Sequence, residues 1–323
     1  PAAGGFFIGI EMRGRFESME WRRALVEIGQ FGGAEIAELF AVVRGIEGEL
    51  EEGKVRQVLA GKVLANLFYE PSTRTSSSFY AAMVRQGGSV IPINDVTYSS
   101  VSKGETLADT VRTLACYADV IALRHPADDA TLQASRVCPV PVINAGNGKG
   151  EHPTQALLDL YTMVRELKLE EAAELRGRVV AFVGDLLYGR TVHSLVKLLR
   201  LYSVKVVLVA PAALQLPYTL RQPDDVEMSL ADALAVADVL YVTRVQQERL
   251  PVELQGELRG VGFAYRVGVA EMARAKPSMV LMHPLPRVGE IEVAVDGDAR
   301  AAYFRQMRYG MVVRMGVLRG MVG

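Results

Sequence analysis

The chain has 323 residues, with 36 lysines and arginines against 37 aspartates and glutamates, so its formal net charge is −1. Half of the residues are hydrophobic and 23% are charged, which is typical of a globular protein of about two domains and excludes a disordered or fibrous chain. The balanced charge argues against a general nucleic-acid binder, and the lack of a long apolar run argues against a membrane protein.

The number and spacing of the cysteines indicate in which cellular compartment the protein is expected. Cys116 and Cys138 stand in no metal-ligand spacing, and we expect both thiols to be buried. Two cysteines and no recognisable secretory signal indicate a cytoplasmic protein. The first residue is Pro1 and not methionine, so we expect further residues upstream in the full protein. No motif in the sequence predicts a metal ion or an organic cofactor.

Strands and helices alternate along the first half of the chain. A helix over residues 34–52 precedes a short apolar strand at 62–69, and another helix starts at Ser72. The cycle then repeats, with strands at 89–93, 119–123 and 140–144 and helices at 105–117 and 128–135. This alternation predicts a doubly wound parallel α/β domain.

The second half repeats the alternation. A long amphipathic helix over 152–167 leads into it. The later strands are predicted at 178–183, 204–209, 238–243 and 279–282, and the helices at 191–202 and 230–237. Between Pro211 and Leu230 the chain is short for a helix plus a strand. We predict two doubly wound domains, over residues 1–150 and 151–302, with a C-terminal helix (about 303–323) that packs back on the first.

The loop after the predicted strand at 62–69 is rich in hydroxyl groups. In an open α/β sheet, ligands bind beyond the carboxyl ends of the strands. Here the segment from Pro71 to Ser78 places Ser72, Thr73, Arg74 and Thr75 at a helix start, where backbone N–H groups and a guanidinium favour an anion. Helix capping explains one hydroxyl but not all of them. The loop therefore predicts a phosphate site.

Other strand ends carry arginine, histidine and glutamine. Arg124 begins Arg-His-Pro, and the loop after residue 144 contains Glu151-His152-Pro-Thr-Gln155. In the second half the corresponding loops are 184–191, 243–246 and 283–287. Their arginines suit a small dicarboxylate, because Arg pairs with carboxylate through two parallel hydrogen bonds. The 184–191 loop lacks the G-x-G-x-x-G spacing, which argues against a nicotinamide dehydrogenase.

Together these loops resemble one family, the aspartate carbamoyltransferases, from about Leu59 to the C-terminus. The resemblance rests on Ser-Thr-Arg-Thr at Ser72, Lys-Gly-Glu-Thr-Leu-Ala-Asp-Thr at Lys103, Arg-His-Pro at Arg124, Gly-Glu-His-Pro-Thr-Gln at Gly150, Tyr-Gly-Arg-Thr at Tyr188, Thr-Arg-Val-Gln at Thr243 and His-Pro-Leu-Pro-Arg at His283. The segment 300–306 looks more like the transferase domain of eukaryotic multifunctional pyrimidine-synthesis proteins than like the bacterial chains. Enzymes of this family make N-carbamoyl-L-aspartate and phosphate from carbamoyl phosphate and L-aspartate.

The resemblance also implies roles for individual residues. The phosphate of carbamoyl phosphate would be held by Ser72, Thr73, Arg74 and Thr75. The carbonyl oxygen would be bound by Thr75, Arg124 and His152, and the carbamoyl nitrogen by Gln155 and the backbone carbonyls of Pro284 and Leu285. The aspartate carboxylates would be bound by Arg190, Arg244 and Gln246. A cis Leu285–Pro286 bond is implied as well.

Family members share their active sites between subunits. The resemblance therefore implies a homotrimer in which Ser99 and the catalytic Lys103 reach into the neighbouring subunit's site. The chain could also be part of a larger pyrimidine-synthesis assembly. No nucleic-acid or membrane partner is expected.

Two alternatives to this reading remain. Ornithine carbamoyltransferase shares the phosphate loop and the His-Pro-x-Gln loop, but it has Cys where this chain has Pro284, and Arg190 and Arg244 would repel a cationic substrate. A catalytically inactive homologue serving as a scaffold would be expected to lose some of the site residues, yet here the set is intact.

Overall fold

The computed structural model describes residues 20–94, 104–245 and 265–323. Within these ranges the strands form two parallel five-stranded sheets, one in each half of the chain, with helices between consecutive strands. The predicted fold class, two doubly wound α/β units, is confirmed. Three predicted site residues, Ser99, Lys103 and Gln246, lie outside the described residues.

The first sheet consists of β1 (Ala24–Leu25), β2 (Val63–Phe68), β3 (Ser89–Ile93), β4 (Val120–His125) and β5 (Val142–Asn147), in the order β1-β5-β4-β2-β3. β2 pairs with both β3 and β4, and its residues from Leu64 to Phe68 are buried. Burial on both faces explains why β2 is a continuous apolar run and not an alternating one.

Among the described residues of this half there are five α-helices: α1 (Gly33–Glu51), α2 (Thr73–Val84), α3 (Leu107–Leu114), α4 (Ala130–Val137) and α5 (Pro153–Glu166). α2 is fixed to β2 by Asn66, whose buried side-chain amide donates to the Ser76 carbonyl at 3.1 Å. The sequence pattern predicts one apolar face on α5, yet every residue from Pro153 to Val164 is buried. Helices pack on several sides of α5, so its polar residues are buried too.

The second sheet consists of β6 (Val179–Val183), β7 (Lys205–Val209), β8 (Val226–Glu227), β9 (Val239–Val242) and β10 (Val280–Met282), in the order β10-β9-β6-β7-β8. Its helices in the described chain are α6 (Arg190–Arg200), α7 (Leu230–Val236) and α8 (Val269–Arg274).

Three short elements go beyond the sequence prediction: β1, β8 and α8. Two-residue strands are too short to show alternation, and a six-residue helix is too short to show a helical period. Two single turns of 3₁₀ helix, at residues 212–214 and 218–220, precede β8, and residues 211–229 contain no α-helix. The shortness of this connection is thus a property of the fold.

The C-terminal helix α9 (Tyr303–Val322) packs against α1, α2 and α5, as predicted. Glycines on α9 permit the close approach. A Cβ at Gly316 would lie 2.7 Å from Val43 of α1, and one at Gly310 would lie 2.9 Å from Leu158 of α5. The last helix in the chain therefore lies directly behind the loops of the first sheet.

The prediction that both cysteines are buried is wrong. Cys116 is exposed and Cys138 is half-buried, and both are unpaired. None of the helices in the described ranges is long and apolar enough to cross a membrane.

Candidate active site

The start of α2 forms one wall of the site. Ser72 is the N-cap residue, but its side chain makes no capping hydrogen bond to the helix. Its hydroxyl instead accepts a hydrogen bond from Arg124 Nη1 at 2.9 Å. The expected capping role is therefore not seen at this residue, and the first N–H groups of α2 are oriented toward a position suited to an anion.

Arg124, at the end of β4, is further held by Glu70. Its Nε lies 3.4 Å from Glu70 Oε2, and Arg190 Nη1 lies 3.5 Å from the same oxygen. Arg190 also donates to the Gly148 carbonyl at 3.0 Å. One carboxylate thus holds a guanidinium from each half of the chain at the same side of the site.

His152, the N-cap residue of α5, is buried against α2 and α6. Its Nε2 lies 3.4 Å from Thr75 Oγ1, and its backbone N–H donates to Ser194 Oγ at 3.0 Å. Burial lowers the pKa of His152 well below its usual value, and the charges of Arg314, Arg124 and Arg190 lower it further. The imidazole is consequently neutral at pH 7 and can offer one N–H donor.

Gln155, one turn into α5, is oriented by a buried carboxylate. Asp159 Oδ1 accepts from Gln155 Nε2 at 2.9 Å and from Gln306 Nε2 at 2.6 Å, and Asp159 Oδ2 accepts from Tyr241 OH at 2.7 Å. Burial raises the pKa of Asp159 to about 7 despite these three donors. The network joins α5 and α9 to β9 beneath the site.

The two halves approach each other closely at Arg190, the first residue of α6. Gly146, at the end of β5, has φ +109°, and a Cβ there would lie 3.2 Å from Arg190 Cζ and 3.3 Å from His152 Cδ2. A side chain at residue 146 would be strained and would also displace Arg190. Glycine is therefore required for this approach.

Arg74 on α2 and Arg244 after β9 bring positive charge to the cleft from opposite sheets. Partial burial lowers the pKa of Arg74, and the charge of Arg244 lowers it further. Positive charge contributed from both sheets makes the cleft favourable for anions. The cleft is therefore suited to anionic ligands.

The loop after β10 forms another side of the site. The backbone N–H of His283 donates to Gln306 Oε1 at 3.0 Å, and His283 Nε2 lies 2.8 Å from Glu290 Oε1. Leu285 N donates to His283 Nδ1 at 2.8 Å, and the Leu285–Pro286 peptide bond is cis, as the resemblance implies. His283 thereby holds in place the segment that contains the Pro284 and Leu285 carbonyls.

These elements surround one cleft of about 1120 Å³ at the carboxyl ends of both sheets. All the predicted site residues within the described ranges line it: Ser72, Thr73, Arg74, Thr75, Arg124, His152, Gln155, Arg190, Arg244, Pro284 and Leu285. Residues from six strand ends, distant in sequence, are thus brought together. Their individual roles in binding remain predictions.

The structure adds four residues that the sequence reasoning missed: Glu70, Asp159, Gln306 and Arg314. Glu70 and Arg314 line the cleft, and Asp159 and Gln306 lie beneath it. Two of them carry a signal in the sequence: Arg314 interrupts an apolar run between Met311 and Leu318, and Asp159 falls among the apolar residues of a helix. A polar residue in an apolar segment is a candidate for a buried partnered group.

Models of one family match both halves of the chain. The carbamoyl-phosphate-binding domain of aspartate/ornithine carbamoyltransferases matches residues 23–165, and the aspartate/ornithine-binding domain matches residues 176–321. The similarity therefore begins well before Leu59, where the sequence motifs alone placed its start.

Similar sequences occur within multifunctional proteins and also as separate catalytic subunits. The multifunctional protein pyr-3 of Neurospora crassa is 50% identical over 91% of this chain, and the matching region is 16% of that protein. The aspartate carbamoyltransferase catalytic subunit of Archaeoglobus fulgidus is 44% identical over 92% of this chain and 98% of its own length. The chain thus spans about one sixth of the multifunctional relative.

Solved structures are similar as well. Aspartate transcarbamoylase from Trypanosoma cruzi, in complex with carbamoyl phosphate and aspartate, is 44% identical in sequence and superposes with a TM-score of 0.86. The match covers 93% of this chain and 95% of the Trypanosoma cruzi chain. The two chains therefore share one fold, and the Trypanosoma cruzi structure contains both ligands.

Proposed function

Because the chain belongs to the aspartate/ornithine carbamoyltransferase family, we propose that it transfers the carbamoyl group of carbamoyl phosphate to the amino group of L-aspartate. The products are N-carbamoyl-L-aspartate and phosphate, in an early step of pyrimidine synthesis. The observation that carries the proposal is the meeting of the hydroxyl-rich start of α2 with guanidiniums from both sheets in one cleft. The similar Trypanosoma cruzi enzyme binds both substrates.

The phosphate end of carbamoyl phosphate binds at the start of α2. Ser72, Thr73 and Thr75 supply hydroxyl and backbone N–H donors, and Arg74 supplies a positive charge. The partial positive charge at the helix N-terminus adds to this attraction. In this arrangement residues 1–150 and the C-terminal helix form the carbamoyl-phosphate-binding half, and residues 151–302 the aspartate-binding half.

The carbonyl oxygen faces Thr75, Arg124 and His152. The unprotonated amine of aspartate attacks the carbonyl carbon, a C–N bond forms, and negative charge develops on the oxygen. The C–O bond to phosphate then breaks, and the proton lost by the amine nitrogen is taken up by the departing phosphate. Fixed donors aimed at the oxygen stabilise this transition state, so positioning and electrostatics account for the catalysis.

The aspartate carboxylates bind to Arg190 and Arg244, together with Gln246. The carbamoyl nitrogen donates to the Gln155 side chain and to the Pro284 and Leu285 carbonyls. Ornithine is disfavoured because its side-chain ammonium would have to lie beside these guanidiniums, where like charges repel.

The active unit in this proposal is a cytoplasmic homotrimer, with Ser99 and Lys103 contributed by the neighbouring subunit. Two unpaired cysteines, one of them exposed, suit a reducing compartment. The similarity to one sixth of a multifunctional protein supports a place in a larger assembly.

A mixture of Lys103→Ala and Arg74→Ala subunits, dissociated and reassociated, is expected to regain activity because some sites then combine an intact Arg74 from one subunit with an intact Lys103 from its neighbour. Activity no higher than that of each parent would contradict site sharing.

A steady-state assay of phosphate release tests the reaction. Carbamoyl phosphate is supplied with L-aspartate in one arm and L-ornithine in the other. Release with aspartate alone supports the proposal, and release with ornithine alone would assign the chain to the other branch of the family. No release in either arm would favour an inactive scaffold.

A further inference from the structure

Arg314 lies in the middle of α9, with its guanidinium directed toward the cleft. The residue is only 4% exposed. Its Nη1 donates to Ser78 Oγ of α2 at 2.9 Å, its Nη2 lies 3.5 Å from Thr154 Oγ1 of α5, and its Cζ stacks 5.2 Å from the centre of the Phe79 ring. A guanidinium buried this deeply and held on three sides has a fixed orientation.

Thr154 connects Arg314 to His152. The Thr154 hydroxyl is fully buried and lies 3.5 Å from His152 Nδ1. A guanidinium has no acceptor, so the hydroxyl oxygen must accept from Arg314, and its own proton is left to donate to the imidazole. His152 Nδ1 is then the acceptor, and the ring proton resides on Nε2.

Nε2 is the nitrogen that faces the cleft, 3.4 Å from Thr75 Oγ1. The charged groups around the ring are Arg314 from α9, Arg124 from β4 and Arg190 from α6. Burial of the ring, together with these charges, lowers its pKa and keeps it neutral. The ionised carboxylate of Asp159 on α5 is close enough to attract the positive charge of Arg314. A neutral imidazole has two tautomers, and only one of them presents N–H to a substrate carbonyl.

We propose that Arg314 is a positioning residue that acts through Thr154 to hold His152 in the Nε2–H tautomer, with that N–H aimed at the reacting carbonyl oxygen. The catalytic part of this inference rests on the proposed carbamoyl transfer, whereas the tautomer itself does not. The C-terminal helix is then part of the catalytic arrangement and not only a cover for the first sheet.

The first test uses matched substitutions on α5. Thr154→Val removes the hydroxyl at nearly constant volume, and Thr154→Ser keeps it. Thr162→Val is the control, because Thr162 is equally buried and its hydroxyl donates to the Leu158 carbonyl at 2.7 Å within its own helix. We expect Thr154→Val to lower kcat by about 10- to 100-fold with a smaller change in KM. Thr154→Ser and Thr162→Val should keep most of the activity.

The second readout does not depend on activity. The chain has four histidines, so ring-¹⁵N-labelled protein gives few signals, and a His152→Gln variant identifies those of His152. In the wild type we expect the unprotonated nitrogen of His152 to be Nδ1, and in Thr154→Val a mixture of both tautomers. Arg314→Lys keeps the charge but loses the two-pronged contact, so it should shift the ring toward the same mixture.

The outcomes separate this inference from the proposed function. If wild-type His152 carries its proton on Nδ1, or if Thr154→Val lowers kcat no more than Thr162→Val, the inference is wrong. If the wild type shows the Nε2–H tautomer but releases no phosphate with aspartate, the proposed function fails while the positioning contact stands. Should Arg314→Lys not fold, the Thr154 and Thr162 variants decide the question.

Discussion

Glu70 and Arg190 meet across the cleft, with 3.5 Å between Glu70 Oε2 and Arg190 Nη1. Glu70 follows β2 of the first sheet, and Arg190 begins α6 of the second half. Their side chains are largely shielded from water, at 29% and 8% exposed, so the pair is less screened than a surface ion pair. This contact orients a predicted aspartate-binding arginine from the opposite half of the molecule.

Glu70→Gln is expected to raise the KM for aspartate several-fold, because Arg190 loses the charge that holds it toward the cleft. Initial rates at saturating carbamoyl phosphate measure the effect. Glu227→Gln removes the more exposed partner of the Arg221 ion pair and is the control. An unchanged KM for aspartate in Glu70→Gln would mean that Arg190 is oriented by its other contacts.

Arg74→Ala is expected to weaken carbamoyl phosphate binding by roughly 10- to 100-fold, the value of a charge-assisted contact of about 1.5–3 kcal/mol. Calorimetric titration with carbamoyl phosphate or inorganic phosphate measures it directly. Arg136→Ala changes an exposed arginine in the last turn of α4, which does not line the cleft, and serves as the comparison. Equal affinity in wild type and Arg74→Ala would remove Arg74 from the phosphate site.

His152→Ala should mainly lower kcat, by about 10²- to 10³-fold, since its donor is most effective when charge develops on the carbonyl oxygen. Because the pKa of His152 lies well below its usual value, kcat of the wild type should show no loss from protonation of this ring between about pH 6.5 and about pH 8. A rise in KM with unchanged kcat would assign His152 to binding alone.

Arg244→Ala should raise the KM for aspartate by about 10-fold or more while leaving carbamoyl phosphate affinity close to that of the wild type. The structure supports the distinction, because Arg244 lies beyond β9 in the second half, whereas the hydroxyl-rich helix start belongs to the first. Separate saturation curves for each substrate provide the measurement. Normal aspartate saturation would remove this assignment.

Asp159→Asn tests the buried carboxyl. With a folded-state pKa of about 7 and an unfolded value near 3.8, the folded chain binds a proton that the unfolded chain has released between these two pH values. Stability from this group is therefore present at low pH and is lost as the pH rises to about 7. The free energy of unfolding of the wild type minus that of Asp159→Asn should decrease over this interval and level off above it.

Urea unfolding across that pH range measures the difference, and Asp224→Asn, at an exposed position, is the control. A pH-independent difference between the wild type and Asp159→Asn would show that Asp159 is ionised throughout.

Much of the architecture could be predicted because the order of apolar and polar residues in a short segment indicates which of its side chains are buried. The apolar run of β2 and the polar loop that follows it are both visible in the sequence, and so is the repetition of this arrangement at Arg124 and His152. Since parallel strands place their carboxyl ends at one edge of a sheet, the convergence of these loops follows from the order of strands and loops along the chain. The short elements β1, β8 and α8 could not be predicted, because each has too few residues to show a period.

The pairing of side chains in and beneath the cleft was decided by tertiary structure alone. Arg314 and Thr154 are 160 residues apart in the chain, Gln306 and Asp159 are 147 apart, and Arg190 and Glu70 are 120 apart. The sequence by itself determined which kinds of side chain follow each strand, and thus the class of ligand. Only the packing of α9 and of the second sheet against the first determined which charges and hydroxyls pair, because such pairing depends on distances in space that periodicity along the chain does not encode.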